Sequence, residues 1–354
     1  MNTRLRYATT ATGALLGLLA PLVLGAGVAS CGNDDFDPAP LVNTVRILAS
    51  RASQPYVQPG QKVEVELLAY DGRRDRSRPM KIFWLPVPCI NPLQDAYYAC
   101  FTQLGTGGAP GADAGAGPNP IGLLKPGVDL TPFLPTGPKF ELTMPADAVT
   151  KHPKVPGIKD PYGLAILFNI ACAGHLELIE RDTKNPQAVP IGCFDDTTKK
   201  RLGPEDYVIG LTRVYAYDTR RNENPVISGV LFDGKPVDLK EGITLDKCEQ
   251  EKKADCPEKN IEVQVPETSQ ETFISDAEED QGTLRKEQVY VAFFSTNARF
   301  KDGARLLYEP TRGKVIGTED KLLGAKTAGE GLVWAVVHDN RGGATWVEIP
   351  LHSK

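Results

Sequence analysis

The stretch KVEVELLAY, at Lys62–Tyr70, alternates polar and apolar side chains along most of its length, so that Val63 and Val65 fall on one face. Strict alternation is typical of a strand that buries one face in an antiparallel sheet and exposes the other to water. The same pattern recurs at 139–144 and 260–265. The sequence therefore predicts antiparallel β-structure in both halves of the chain.

Around these segments, four runs are apolar on both faces and fit central strands, which are covered on two sides. They lie at 81–85, 164–170, 289–294 and 332–337. Asp-Gly and Gly-Gly turn signals separate the runs, and long helical periodicity is absent. We expect only short helices, at 247–254 and 317–325. The predicted fold class is all-β, with two antiparallel β-sandwiches in tandem.

The spacing of the strands divides the chain into one sandwich at 43–220 and a second at 221–354. A polar segment that ends in Pro, at 219–225, is the expected linker between them. The first sandwich contains a Gly/Pro-rich insertion at about 105–138, where nine of 34 residues are Gly and seven are Pro. The stretch at 107–118 within it cannot build a core, so we expect a mobile loop there.

Residues 1–30 have the features of a secretory signal peptide that is removed from the mature protein. Arg4 and Arg6 form a positive region, an apolar region follows at 14–24, and no acidic residue lies within the segment. Pro21 interrupts the apolar region, which is also shorter than the roughly 20 residues of a membrane-spanning helix. The sequence therefore predicts export.

The sequence VASC at Val28–Cys31 resembles the lipobox of bacterial lipoproteins, an aliphatic residue and two small residues followed by Cys. The resemblance implies cleavage after Ser30, a diacylglycerol on the Cys31 thiol, and an acyl chain such as palmitate on its new amino group. Several acyl chains hold a protein firmly at a membrane, whereas one holds it only marginally. The lipidated Cys and a flexible polar tether would occupy 31–42. An ordinary signal peptide followed by a chance Cys is the alternative.

With Cys31 assigned to the lipid, six cysteines remain, and an even set in an exported chain indicates disulfides. Six cysteines allow 15 connectivities, among which sequence alone does not choose. The spacing suggests bonds between neighbours, which would be Cys89–Cys100, Cys172–Cys193 and Cys248–Cys256. A zinc site is the alternative, but it needs close pairs such as C-x2-C, which this sequence lacks. No metal or other cofactor is predicted.

Three features resemble bacterial immunoglobulin-like domains: Pro59-Gly60 before the alternating strand, Trp84 on the next strand, and the final turn at 339–343. The resemblance implies that both sandwiches are immunoglobulin-like, and that the insertion makes the first longer than the roughly 100 residues of a simple domain. A lipobox followed by such decorated domains is similar to surface lipoproteins of the myxobacterial type. Gly32, directly after the lipidated Cys, favours the outer membrane, because Asp at that place is the usual inner-membrane signal of lipoproteins.

Signals for chemistry are few. The net charge of −5 argues against a nucleic-acid partner, because proteins that bind nucleic acids have basic surfaces. The histidines, His152, His175, His338 and His352, stand apart in the sequence, and neither a G-x-S-x-G elbow nor a phosphate-binding loop occurs. No catalytic residue is therefore assigned.

Two acidic runs and one aromatic group allow more than one interpretation. The runs at 195–196 and 275–280 lack the pattern of a calcium-binding loop, so solvated loops are the expectation and calcium the alternative. Tyr97, Tyr98 and Phe101 lie near the predicted disulfide loop. These aromatic residues either pack over the sandwich edge or form a binding surface.

The sequence supports a non-enzymatic cell-envelope lipoprotein with an interaction or structural role, since loops on rigid sandwiches commonly carry recognition. Its partners would be the membrane, through the lipid on Cys31, and an unidentified protein or glycan. Two alternatives remain open. One is a carbohydrate- or calcium-binding surface module, and the other is a hydrolase on a β-sandwich scaffold whose carboxylates come from distant loops.

Overall fold

The alternating stretch at Lys62–Tyr70 forms the middle strand of a three-stranded sheet in the computed structural model of the protein. The structure describes residues 40–354, apart from 102–124, 183, 186, 249–255, 276, 278–281 and 326. The signal peptide, Cys31, nearly all of the tether and the Gly-rich part of the insertion therefore lie outside the described residues.

The first sandwich consists of two antiparallel sheets, β1-β3-β6 and β2-β10-β7-β4, in which only β2 runs parallel to its neighbour β10 and β5 adds to β7. A short helix, α1, and a separate hairpin, β8-β9, complete it. The bounds are β1 Val45–Ala52, β2 Tyr56–Val57, β3 Lys62–Asp71, β4 Lys81–Trp84, β5 Cys89–Ile90, β6 Lys139–Thr143, α1 Ala148–Lys151, β7 Gly163–Cys172, β8 His175–Leu178, β9 Ile191–Phe194 and β10 Tyr207–Ala216. Single turns of 3-10 helix lie at Leu93–Asp95, Tyr97–Phe101 and Thr131–Phe133.

Strand β7 is buried along its whole length because both of its faces are covered. One face, with Leu167, packs against β3 and the fully buried Trp84 of β4. The other face, with Ile166 and Phe168, packs under the disulfide loop and the segment around Leu130. The run at 164–170 therefore has no polar face, whereas β3 needs to bury only one face.

The second sandwich has the sheets β12-β11-β14-β21-β18 and β13-β23-β22-β17-β19-β20, and a projecting hairpin, β15-β16. The bounds are β11 Gly229–Phe232, β12 Lys235–Pro236, β13 Ile243–Leu245, β14 Glu258–Gln264, β15 Thr272–Ile274, β16 Leu284–Lys286, β17 Val289–Ser295, β18 Arg299–Phe300, β19 Ala304–Glu309, β20 Gly313–Lys314, β21 Asp320–Leu323, β22 Gly329–Asp339 and β23 Ala344–Ser353. A 3-10 turn lies at Glu267–Ser269.

Both sandwiches have the strand order of an immunoglobulin fold, in which strands A, B, E and D form one sheet and C, F and G the other. In the second sandwich, β11-β14-β21-β18 are A-B-E-D and β17-β22-β23 are C-F-G. In the first, β1-β3-β6 are A-B-E and β4-β7-β10 are C-F-G, and its described residues contain no strand D. Trp84 lies on strand C of the first, where a buried Trp is a hallmark of the fold. The predicted all-β fold of two immunoglobulin-like sandwiches in tandem is confirmed.

The two sandwiches share a buried apolar contact. Strand β22 turns Val333 and Ala335 into its own core, and it turns Trp334 outward against the first sandwich. There the indole packs with Leu48 of β1 and lies 4.7 Å, between ring centroids, from Tyr70 of β3. All described residues accordingly belong to one compact unit.

The expected linker is tied to both sandwiches by its asparagines. Asn222 is 4% exposed and donates to Asp339 Oδ2 at 3.3 Å. Asn224 donates to the Ala52 carbonyl at 2.8 Å and accepts from the Ala344 amide at 2.9 Å. The polar composition of the segment therefore serves specific hydrogen bonds. Strands stop at Ala216 and resume at Gly229, and the boundary at 220/221 stays a prediction.

One local prediction was wrong. The segment 317–325 contains strand β21 instead of a helix, because Leu322 enters the core and buried Asp320 accepts the Gly303 amide at 2.6 Å. The described end of the insertion, 125–138, contributes the buried Leu130 and Leu134 to the core of the first sandwich. The mobile loop expected at 107–118 and most of the helix predicted at 247–254 lie outside the described residues.

Candidate functional site

Three disulfide bonds join cysteines that are neighbours in the sequence. They are Cys89–Cys100, Cys172–Cys193 and Cys248–Cys256. Each closes a short loop, which by chain entropy stabilises the fold by about 2 to 3 kcal/mol. The first bond holds the loop at 89–101 over β7, where it shapes the surroundings of a cavity.

Backbone conformation in this disulfide loop is unusual. Asn91, Gln94 and Asp95 have φ values of 47°, 55° and 54°, in the left-handed region that residues other than glycine rarely adopt. The Asn91 side chain compensates by donating to the Ala148 carbonyl at 2.7 Å and accepting the Leu164 amide at 2.8 Å. These bonds fix the loop on α1 and β7, so that the Asp95 carboxylate points toward the segment after α1.

Asp95 joins two residues that are far away in sequence. Its Oδ1 lies 2.8 Å from His152 Nε2, and its Oδ2 accepts a hydrogen bond from the Tyr162 hydroxyl. His152 Nδ1 lies 2.7 Å from the Pro153 carbonyl, so both ring nitrogens face oxygen atoms. The imidazole side chain is 5% exposed and packs on the Tyr162 ring at 4.3 Å.

The segment from His152 to Tyr162 lines a cavity of about 620 Å³. Its walls are mostly apolar, and Lys154 and Lys159 contribute cations. The Asp95 oxygens and the His152 nitrogens already have partners, so the arrangement fixes the loop and offers no unoccupied base to a substrate.

Replacing Asp95 with Asn should lower the free energy of unfolding by about 1 to 2 kcal/mol, because the bonds to His152 and Tyr162 lose their charged acceptor. Asn tolerates the left-handed backbone, so the change isolates the carboxylate. Denaturant unfolding measures the effect, with the exposed Asp218→Asn as control. Equal stability of the two variants would contradict this role of Asp95.

A second cluster, at the junction of the sandwiches, is centred on Arg341. Its Nη1 lies 2.8 Å from Glu287 and 3.4 Å from Glu271, and its guanidinium also donates to the Arg221 carbonyl. The guanidinium lies between the ring of Tyr56, from the first sandwich, and that of Phe273 in β15, at 4.9 and 4.7 Å.

Glu287 is fully buried, and burial together with nearby Asp339 raises its pKa to about 7. Burial also raises the pKa of Glu271. Three carboxylates thus surround one guanidinium, which leaves an excess of negative charge when all are ionised. The junction is therefore sensitive to the protonation of Glu287.

At one end of the first sandwich, an ion network locks the loops before β4 and β10. Arg73, 7% exposed, binds Asp71 at 2.8 Å and Asp206 at 2.7 Å. Arg78 binds Asp206 and Asp195, both at 2.9 Å. Hydrogen bonds from the Thr198 amide and from Arg78 hold the pKa of Asp195 far below its usual range. The acidic pair at 195–196 thus has a structural role here.

The other three histidines lie on separate elements and do not converge. His175, at the start of β8, is buried between Asp196 and Glu177, at 3.0 and 2.9 Å. His338 stacks on Tyr290, and burial lowers its pKa. Hydrogen bonds to the Glu241 carbonyl and to Glu330 raise the pKa of exposed His352.

The remaining candidates occupy separate places. Phe101 is 2% exposed and packs on Phe168 at 4.6 Å, whereas Tyr97 and Tyr98 are half-buried.

Most of the acidic run at 275–280 lies outside the described residues. Within the described ranges, no group of three or more His, Cys, Asp or Glu is arranged to hold a metal ion. Nor does the described part contain a helix long and apolar enough to span a bilayer.

No single feature in the sequence points to the Asp95–His152–Tyr162 contact. Its members are 57 and 67 residues apart. The basic run RRDRSR at 73–78 indicates a cluster of arginines, but it does not reveal their partner. Asp206, which binds Arg73, lies 133 residues away. Both sites are assembled by the fold.

No protein-family model and no curated protein matches the chain. Among solved structures, the fibronectin(III)-like modules of CbhA from Clostridium thermocellum are 8% identical, with a TM-score of 0.20 over 88% of this chain and 94% of that one. The tandem Ig repeats of Dlar are 10% identical, with a TM-score of 0.22 over 88% and 98%. The C-terminal domain of the Streptococcus agalactiae AgI/II polypeptide BspA is 10% identical, with a TM-score of 0.19 over 86% and 99%. The fold assignment rests on the strand order and not on these similarities.

Proposed function

We propose that this chain is a non-enzymatic lipoprotein of the bacterial cell envelope, anchored by a lipid on Cys31 and exported to the outer membrane. The observation that carries the proposal is the VASC sequence at Val28–Cys31, in register behind a positive and an apolar region. The three disulfides support it, because such bonds persist in oxidising compartments. The remaining cysteine is the one that the lipid would occupy.

The role that we propose for the folded part is interaction or structural support, with an unidentified protein or glycan as partner. Two features favour a rigid module. Trp334 packs between the sandwiches, and the asparagines of the linker bind both of them. A rigid pair of domains displays its loops in a fixed relation, which lowers the entropy cost of binding.

The lipid anchor is tested by growing expressing cells with radiolabelled palmitate. The wild-type protein should carry the label and partition into the membrane fraction, whereas Cys31→Ser should carry none, because it lacks the thiol to which the diacylglycerol is attached. Ser30→Ala is the matched control, since it keeps a small residue before the Cys and should remain labelled. An unlabelled wild-type protein, or a Cys31→Ser variant with unchanged label and mass, would refute the anchor.

A partner is sought by affinity capture from solubilised membranes with the full-length protein as bait. Cross-linking identifies which loops contact whatever is captured. The absence of any specific partner would leave support of the envelope as the role, which a deletion strain tests through its sensitivity to detergent.

A further inference from the structure

The first sandwich has an open sheet edge at β6, the strand that corresponds to E. Its sheet is β1-β3-β6, and within the described residues no strand pairs with the outer side of β6. At the other edge of this sheet, β1 has partners at both of its ends. The Val45 amide donates to the Glu205 carbonyl at 2.9 Å. The Ala52 carbonyl accepts a hydrogen bond from Asn224 at 2.8 Å.

The direction of the backbone groups of β6 follows from its pairing with β3. The Pro138 carbonyl, directly before β6, accepts the amide of Leu67 in β3 at 2.8 Å. Alternate residues of an antiparallel strand bond to the same neighbour. The amide and carbonyl groups of Lys139, Glu141 and Thr143 therefore point away from β3. No other backbone group in the described part of the chain bonds to them.

The other edge strands of the two sandwiches, β1 apart, are shorter than β6. β2, β12, β18 and β20 have two residues each, and β13 has three. β4 has four residues and is bridged at Phe83 to Thr136, whereas β6 has five. Natural proteins keep edge strands short because an open edge pairs with strands of other chains. The length of β6 therefore favours such a pairing.

The solvent face of β6 carries opposite charges two residues apart. The side chains of Lys139 and Glu141 are 53% and 63% exposed. Lys139 binds Glu64 of β3 at 2.7 Å, and Glu141 binds Lys62 of β3 at 2.6 Å. In the register of the two strands, however, Glu64 lies directly opposite Glu141, which is an unfavourable pair of like charges. A further cation beside Glu141 would therefore be stabilising.

A second β6 strand supplies that cation in one register only. Antiparallel pairing centred on Phe140 places Lys139 of each copy opposite Glu141 of the other, and the outward backbone groups of these residues meet. Registers centred on Lys139 or Glu141 place like charges opposite each other, and one centred on Leu142 pairs Glu141 with Thr143. A shift by a single residue would turn the half-buried Phe140 to the solvent face.

We infer that the chain forms a two-fold symmetric dimer through β6, in which the β1-β3-β6 sheets of two copies join into one continuous sheet. A two-fold axis fits, because the same surface serves both partners. The contact is short, and interfaces below roughly 1,200 Å² belong to weak, transient complexes. The dimer does not depend on the proposed lipid anchor.

The test is sedimentation equilibrium of the exported Cys31→Ser chain, which carries no lipid at that position. Its mass should rise from monomer toward dimer between about 10 μM and about 1 mM, the range of weak complexes. Lys139→Glu and Glu141→Lys should each stay monomeric, because each places like charges opposite each other in the register centred on Phe140. An equimolar mixture of these two variants should dimerise, since opposite charges then face each other at both pairs. Lys240→Glu, at an exposed position of the second sandwich, should dimerise like the parent chain.

Glu141→Pro tests the backbone contribution. Pro removes only the amide that points outward, and an edge strand tolerates it, so the melting temperature should show a folded chain that no longer dimerises. A parent chain that stays monomeric over the whole range, a variant mixture that stays monomeric, or a folded Glu141→Pro chain that dimerises would overturn the inference. Since the measurement needs no lipid, its result is independent of the anchor proposal.

Discussion

Replacing Trp334 with Ala should lower the free energy of unfolding by about 3 to 5 kcal/mol, the cost of emptying a large buried aromatic site. The indole is fully buried and donates from Nε1 to Glu348 at 2.8 Å. Because it packs on Leu48 and Tyr70 of the other sandwich, its loss also weakens the contact between the two domains. The single unfolding transition expected of the wild-type protein should then separate into two.

Trp84→Ala is the matched control, because that indole is equally buried but lies inside the first sandwich. It should destabilise that sandwich while leaving Trp334 in place between the domains. Urea unfolding is followed by far-ultraviolet circular dichroism, and limited proteolysis shows whether the linker at 219–225 opens before either domain. If Trp334→Ala keeps the wild-type stability and one transition, the packing between the sandwiches does not couple them.

The second large effect is a fall in stability between about pH 5 and pH 8. The pKa of Glu287 is raised from 4.5 to about 7, so the folded protein retains a proton that the unfolded chain releases. The stabilisation is fully present below the unfolded pKa and is lost as the pH rises through about 7, by up to about 3 kcal/mol in total. The charged groups that face Glu287 are Arg341, Glu271 and Asp339.

Glu287→Gln should flatten this pH dependence, since it removes the titrating carboxyl while Glu271 and Asp339 continue to balance Arg341. Stability is measured by guanidinium unfolding at closely spaced pH values. Glu241→Gln is the control, because that side chain is exposed and should leave the pH profile unchanged. Parallel profiles for the wild-type protein and Glu287→Gln would show that Glu287 does not titrate in this range.

Much of the fold could be predicted because strand patterns are local. Alternation at 62–70 and the apolar runs at 164–170 and 332–337 each correspond to a strand. The apolar run at 332–337 also indicates a contact beyond its own sandwich. A strand that is apolar on both faces must be buried on both sides. For β22, the neighbouring sandwich buries the second face, at Trp334.

The candidate site could not be predicted, for a physical reason. It depends on the left-handed turn at Asn91–Asp95 and on the return of the chain at His152, which only tertiary packing brings together. The helix expected at 317–325 does not form, for a related reason. Asp320 accepts a hydrogen bond from the Gly303 amide and Leu322 packs in the core, and the local sequence pattern reveals neither contact. Sequence alone does not choose among the 15 cysteine pairings, because spacing along the chain does not determine distances in the fold.

The way the chain begins its fold has a consequence for biogenesis. Leu41 pairs with Ser295, and the Ser295 amide donates to the Pro40 carbonyl at 2.8 Å, so the first described residues are held by the second sandwich. The first sandwich is synthesised before the second, and during that interval Leu48 and Tyr70 lack their cover. Until the second sandwich has folded, the first sandwich therefore exposes an apolar face that can associate with other incompletely folded chains.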